Sequence, residues 1–272
     1  MPEINAKDVM ALRNETGLSM MECKKALEEC AGDAAKATDF LRKKLKGKMD
    51  TRTDRAAGEG RVVTAIDPSG KAAVIVELRA ETDFTAKNEM FSAAANSIAQ
   101  MALKMGAGAI NPTSDMTKLI DDIRIKTGEN ASIARVHKLE GGGNIKFGTY
   151  VHHDGKKGAI LVGEGDLPDD LARSVCMHII AKDPAPKGVT ANDIPTDIVD
   201  KERKFRIEQA MESGKPKEIA EKMVEGGMRK FFEEIALLEQ PFVMDESKKV
   251  KEMLPAGTNI TKFVRWQVGE TA

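Results

Sequence analysis

The chain has 272 residues, 41% hydrophobic and 31% charged, a profile that permits a sizeable core and about two to three domains and excludes a disordered chain. Its 42 basic and 43 acidic side chains leave a formal net charge of −1, which argues against nucleic acid as the main partner, because duplex binding rests on phosphate neutralisation. Cys23, Cys30 and Cys176 form no Cys-x-x-Cys pair, no apolar run reaches bilayer length, and Met1-Pro2-Glu3-Ile4 lacks a basic-then-apolar leader, so a cytoplasmic protein without disulfides, and no membrane partner, is expected.

The first fifty residues read as three short helices. Asn5 is placed to cap the first, with Asp8 in its first turn, Val9 and Leu12 facing inward, and Gly17 ending it. Ser19-Met20-Met21-Glu22 has the form of a capping box and opens a second helix that ends at Gly32. Asp33 caps a third, with Ala34, Ala37, Leu41 and Leu45 at helical spacing. A bundle of this size is too small to enclose an active site, which makes residues 1–46 a docking module. Residues 47–59, with alternating charges and no period, read as a linker.

Strands begin near Arg61. Val62 to Ile66, the turn Asp67-Pro68-Ser69-Gly70 and the run Ala72 to Leu78 make a β-hairpin with a mostly buried second strand. Helices follow at about Asn88 to Met105 and Asp115 to Lys126, then a strand from Ile133 to Leu139. The order then recurs: a strand from Lys146 to His152, a turn at Asp154-Gly155, a strand over Ala159 to Val162, a helix from Pro168 to about Lys182, and a last strand from Ile260 to Val268. The implied fold class is α+β, with a core of two similar halves at 60–140 and 141–272, each a helix-covered antiparallel sheet. The second half carries an inserted pair of amphipathic helices at about 196–240, joined by Ser213-Gly214-Lys215. Ile198, Phe205, Ala210 and Met211 are expected to face Ile219, Met223, Phe231, Ile235 and Leu238 in an antiparallel coiled-coil hairpin. Such an arm either reaches a partner or a second copy, or merely stabilises the domain.

A search for chemistry finds none. No Gly-x-x-x-x-Gly-Lys-Ser/Thr loop is present, so no direct nucleotide binding is expected, and Gly141-Gly142-Gly143 reads as a turn. His152 and His153, adjacent in a strand, are expected on opposite faces, where they cannot share a metal. Cys176 and His178 lie roughly 200° apart on one helix, a poor nucleophile–base pair. His178, beside Leu171, Val175 and Ile179, reads as a packing residue or a partner contact. No catalytic residue, metal or cofactor is assigned, and the chain is not read as an enzyme.

One junction stands out. Glu81-Thr82-Asp83-Phe84-Thr85-Ala86-Lys87-Asn88-Glu89 joins a buried strand to a helix. Thr82 or Asp83 caps the helix, and Phe84 either folds into the core or stands out as an aromatic anchor for a partner. The segment Glu77-Leu78-Arg79-Ala80-Glu81-Thr82-Asp83-Phe84-Thr85-Ala86-Lys87-Asn88 resembles the Thr-Asp-Phe signature of the bacterial elongation factor Ts family. The run Leu12-Arg13-Asn14-Glu15-Thr16-Gly17-Leu18-Ser19-Met20-Met21-Glu22-Cys23-Lys24-Lys25-Ala26-Leu27 is similar to a second signature. Ser213 to Gly226, with Gln240-Pro241-Phe242-Val243 after it, resembles the family's coiled-coil turn. Arg79 and Ala80 depart from the usual Asn and small polar residue, and His178-Ile179-Ile180-Ala181 departs from the common pattern.

The resemblance implies a guanine-nucleotide exchange factor of translation elongation, whose partner is GDP-bound elongation factor Tu. The N-terminal bundle would be a UBA-like domain docking through Leu12, Met20, Met21 and Lys24. Thr82, Asp83, Phe84 and Thr85 would enter near the partner's magnesium and phosphate site, and His178 would contact a distal β-domain. The additional C-terminal helix of some relatives is expected to be absent. Two rivals remain: a scaffold that binds without exchange, and an RNA-binding factor using Arg42-Lys43-Lys44-Leu45-Lys46, whose charges otherwise form a solvated helix end. The helical hairpin is a candidate for self-association.

Overall fold

The computed structural model describes residues 4–50, 52–212, 214 and 216–270. Met1 to Glu3, Thr51 in the expected linker, and Ser213 and Lys215 in the expected hairpin turn lie outside the described residues.

The N-terminal helices form where their caps place them. Asn5 accepts from the Asp8 N–H at 2.8 Å and opens α1 (Ala6–Thr16). Ser19 and Glu22 close a reciprocal capping box on α2 (Met20–Glu29). Asp33 accepts from the Lys36 N–H at 3.0 Å at the start of α3 (Ala34–Asp50). Helix α2 stops at Glu29, short of the expected Gly32, because Ala31 and Gly32 turn to φ 53° and 84° and the Gly32 N–H closes back onto Leu27 O. Helix α3 runs to Asp50, so the first part of the expected linker is helical. Val9, Leu12, Leu18, Cys23, Ala26, Leu27, Ala37, Leu41 and Leu45 fill the bundle's core.

The first sheet has the order β1-β2-β4-β3, from β1 (Glu59–Ile66), β2 (Ala72–Ala80), β3 (Gly108–Ala109) and β4 (Ala131–Glu140). Between β2 and β4 come α4 (Asp83–Lys87), α5 (Glu89–Leu103) and α6 (Ser114–Thr127). The second sheet is antiparallel, β5-β6-β9, from β5 (Ile145–Val151), β6 (Lys157–Glu164) and β9 (Asn259–Gln267). Helix α7 (Asp169–Ala181) lies so close to β5 that a side chain on Gly148 would strike the Ala172 backbone at 2.9 Å. The class is α+β.

The chain divides into two compact units: residues 1–63, 76–137 and 268–272, and residues 64–75 and 138–267. This differs from a cut at 140/141. In the second unit the Gly141 N–H donates to Lys71 O at 2.9 Å, which ties the first hairpin's tip to the later segment. In the first, the Gly269 N–H donates to buried Glu77 at 3.1 Å, which holds the chain's end there.

The inserted helices are α8 (Thr196–Glu212) and α9 (Lys217–Ile235), with Gly214 in the turn at φ 63°. Their seam is the expected one in part: Ile198, Ala210, Phe231 and Ile235 pack inward. Ala210, Val224 and Met228 are buried together, flanked by Val199, Ala220, Phe231 and Phe232, whereas Phe205, Met211, Ile219 and Met223 are exposed. Arg206 crosses over Gly227, where a Cβ would meet its guanidinium at 2.5 Å. After α9 come a short strand pair, β7 (Pro241–Phe242) and β8 (Asp245–Lys249), and one helical turn, α10 (Val250–Met253). No described helix is long and apolar enough to cross a membrane.

Candidate functional site

The junction after β2 is an exposed aromatic on a pinned single turn. Strand β2 is buried almost throughout, and its direction changes at Glu81 and Thr82. Thr82 is the N-cap of α4: its Oγ1 accepts from the Thr85 N–H at 3.3 Å. The same hydroxyl donates to Glu129 Oε1 at 2.6 Å, and the Thr82 N–H donates to Glu129 Oε2 at 3.1 Å. Thr85 and Ala86 take the buried face of the turn, which leaves Phe84 outside it at 84% exposed. Asp83 pairs with Lys87 one turn on, at 2.6 Å. An exposed apolar side chain is ordinary in itself. What distinguishes Phe84 is that the residues before it are held by charged hydrogen bonds to distant segments.

Those segments meet beyond α6. Gly128 ends the helix with φ 71°, a conformation that suits glycine, and returns its N–H to Arg124 O. Glu129 then takes Thr82, and the Asn130 N–H donates to Glu81 Oε1 at 2.6 Å. The Asn130 side-chain amide donates to Thr53 O at 3.0 Å and Arg55 O at 2.8 Å, while Arg52 reaches Gly128 O at 2.7 Å. Arg55 also stands 3.5 Å from Glu81. The segment expected as a loose linker is therefore bonded to the base of the Phe84 turn. The bundle is fixed to the same helix by a two-pronged Arg42–Asp122 contact at 2.9 and 3.0 Å and by Ile125 packing on its core.

A family model described as Elongation factor TS matches residues 81–270. The chain belongs to the elongation factor Ts family. It is 41% identical over 276 residues to "Elongation factor Ts" of Hydrogenovibrio crunogenus, covering 98% of this chain and 92% of that protein. Over 275 residues it is 42% identical to that of Sodalis glossinidius, covering 99% and 93%. Over 272 residues it is 42% identical to that of Pasteurella multocida, again covering 99% and 93%.

Within this elongation factor Ts chain, the expected contact residues separate into two groups. Met20 and Met21 are 40% and 63% exposed on α2, and Lys24 is exposed one turn on, 3.9 Å from Glu28. Leu12 is only 1% exposed; it belongs to the bundle's core, and its expected contact role is corrected to packing. Thr85 is likewise corrected: it is 6% exposed and serves the turn through its backbone. Arg79, a departure from the family's signature, donates to Glu77 Oε1 at 2.9 Å. With Arg135 on the other oxygen, it neutralises a fully buried carboxylate under the strand that leads to the site.

His178 lies in the second unit and is 0% exposed, so the partner-contact expectation gives way to packing. Its Nδ1 accepts from the Val243 N–H at 3.1 Å, which places the ring proton on Nε2, where it donates to Gln240 Oε1 at 3.0 Å. Gln240 donates in turn to Glu234 O and Pro184 O at 2.6 and 3.0 Å, and Phe242 stacks 5.7 Å from the ring. Burial pushes the His178 pKa below its usual value, keeping the ring neutral. Burial also pushes the Cys176 thiol far above its usual range, which removes it as a nucleophile. The strand β5 stops at Val151, one residue early, so His152 and His153 are in a turn with ring centroids 4.2 Å apart and not on opposite faces. Among the described residues no group of three or more His, Cys, Asp or Glu could hold a metal.

Sequence reasoning missed Glu129, Asn130 and Glu77 as parts of the site's frame. Gly128 after an amphipathic helix is the one local signal, since it marks where a C-cap returns the chain. Nothing local announces that an acid will bond a residue 47 positions away.

Proposed function

We propose that this elongation factor Ts chain binds GDP-bound elongation factor Tu and accelerates GDP release so that GTP can bind, with Asp83 and Phe84 entering near the partner's magnesium and phosphate site. The observation that carries the reading is Phe84, 84% exposed on a one-turn helix whose cap residue is held by Glu129. An aromatic side chain of this kind delivers its binding energy on entering a pocket, and a rigid base lowers the entropy lost on doing so. Met20 and Met21 supply adaptable apolar surface on the bundle, which supports docking there.

Magnitudes require a distributed grip. Nanomolar nucleotide affinity corresponds to about −12 kcal/mol. Weakening it ten-thousandfold takes about 5.5 kcal/mol of coupling. Burying one phenylalanine yields about 1.5–3 kcal/mol, so Phe84 needs binding energy from the bundle and the rest of the core. By reciprocity GDP weakens the grip of the exchange factor by the same factor, which lets one copy serve many GTPase molecules.

The experiment is to mix the protein with elongation factor Tu loaded with fluorescent GDP. Acceleration of release at substoichiometric protein is expected. Binding without acceleration would make the chain a scaffold and overturn the proposal.

A further inference from the structure

We propose that Glu129 is a positioning residue for nucleotide exchange, and that Glu129 and Asn130 form a strut through which the docking bundle and the Phe84 turn are held as one rigid unit. This rests on the exchange reading of the Thr82–Phe84 turn.

Helix α4 is a single turn of five residues. Such a turn has no stability of its own, because nucleating a helix fixes several residues for very few hydrogen bonds. Its orientation must come from outside. The two residues that precede Asp83 are each gripped by a neighbour in the Gly128-Glu129-Asn130 corner. Glu81 receives the Asn130 N–H at 2.6 Å, and Thr82 gives both its donors to the two oxygens of Glu129 at 3.1 and 2.6 Å. A carboxylate accepting two bonds from one residue fixes direction as well as distance, and charge-assisted bonds are the stronger kind. Phe84 is thus aimed by groups that it does not touch.

The same corner faces the other way. The Asn130 amide holds Thr53 O and Arg55 O, and Arg52 holds Gly128 O, immediately after the helix that completes the bundle. A force applied at the bundle on docking is therefore opposed at the base of the Phe84 turn through Arg52, Thr53 and Arg55. Glu129 is half-buried, and its carboxylate oxygens accept from the two donors of Thr82.

The consequence for kinetics is specific. Loosening the strut should lower the maximal rate of GDP release while leaving the concentration dependence nearly intact, because a misaimed wedge loses transition-state contacts and not the docking surface. A displacement of about 1 Å at a reacting geometry can cost up to about a hundredfold.

The test uses full-length protein and elongation factor Tu loaded with fluorescent GDP, comparing wild type, Glu129→Ala, Glu129→Gln, Phe84→Ala and the double variant Phe84→Ala/Glu129→Ala. Glu129→Ala is expected to lower the maximal release rate about tenfold with a half-saturating concentration within about twofold of wild type. Glu129→Gln, which keeps an acceptor oxygen, should recover most of the loss. In the Phe84→Ala background the further change Glu129→Ala should cost nothing, and in Glu129→Ala alone the Thr82 and Thr85 amides should exchange hydrogen faster. Should Glu129→Ala fail to fold, Glu129→Asp keeps the charge but is too short to reach both donors, and an intermediate fall in maximal rate is expected. If Phe84→Ala slows release but the Glu129 variants do not, the strut is wrong and the wedge stands. If the two losses simply multiply in the double variant, Glu129 does not act through Phe84 and the proposal fails. If Phe84→Ala leaves release unchanged, the wedge fails and the strut with it.

Discussion

Phe84 in the first unit and Phe242 in the second each follow, by two positions, a residue tied into a long-range polar network. Thr82 is bonded to Glu129, and Gln240 is bonded to His178, Glu234 and Pro184. The outcomes are opposite. Phe242 is buried and stacks on the His178 ring, so its network closes a core. Phe84 stands in solvent, so its network braces a projection. Both regions carry residues that resemblance marks for contact, and only burial separates them. The difference separates a polar network that braces an exposed aromatic from one that closes a core.

The contrast can be attacked at its strongest point first. Phe242→Ala should lower unfolding stability by about 3–5 kcal/mol in urea titration, since it empties a filled site in the second unit's core. A loss below about 1 kcal/mol would mean that the His178–Phe242 pair is not a core element. Next, His178→Ala should cost about 1–3 kcal/mol, because the Val243 N–H and Gln240 Oε1 would both be left without their partner. Calorimetric melting of the purified variant checks it, and an unchanged midpoint would contradict the buried network.

The same residue sets a pH dependence. The folded pKa of His178 lies below the unfolded value near 6.5, so the stability due to its neutral form is fully present above about 6.5. That stability is lost as pH falls towards the folded pKa, because only the unfolded chain gains the proton. Urea midpoints measured from pH 7.5 down to 5 should show a decline that flattens in His178→Asn relative to wild type. The smallest effect belongs to the projection. Phe84→Ala should change stability by less than about 0.5 kcal/mol, as expected of a side chain with little burial to lose. A loss of 2 kcal/mol or more would show that Phe84 packs in solution after all.

Local chemistry made much of the fold legible. Asn5, the Ser19–Glu22 box and Asp33 mark helix starts by hydrogen bonds spanning three residues, and the hairpins follow from alternating apolar runs around Asp67-Pro68-Ser69-Gly70 and Asp154-Gly155. The Thr82–Phe84 junction was legible as an oddity, but two fates for Phe84 stood open, since a phenylalanine after a cap residue can turn either way. What decided between them is non-local: Thr85 and Ala86 take the buried face, and Glu129 fixes the cap from the far end of α6. Part of the α8–α9 seam, at Phe205, Met211, Ile219 and Met223, was misjudged for a related reason. Periodicity gives an apolar face but not which part of it meets its neighbour, where Ala210, Val224 and Met228 close together and Gly227 leaves room for Arg206. His178 illustrates the limit of motif transfer, because a family pattern names the residue and only packing shows that its ring is enclosed.

In the proposed exchange reaction, Phe84 acts on the partner and not on its own fold. Stopped-flow release of fluorescent GDP from elongation factor Tu, driven by wild type and by Phe84→Ala at equal concentration, tests this in one comparison. A fall in the release rate of at least about tenfold, with complex formation still measurable, is the expected result. Release by Phe84→Ala at the wild-type rate would contradict it.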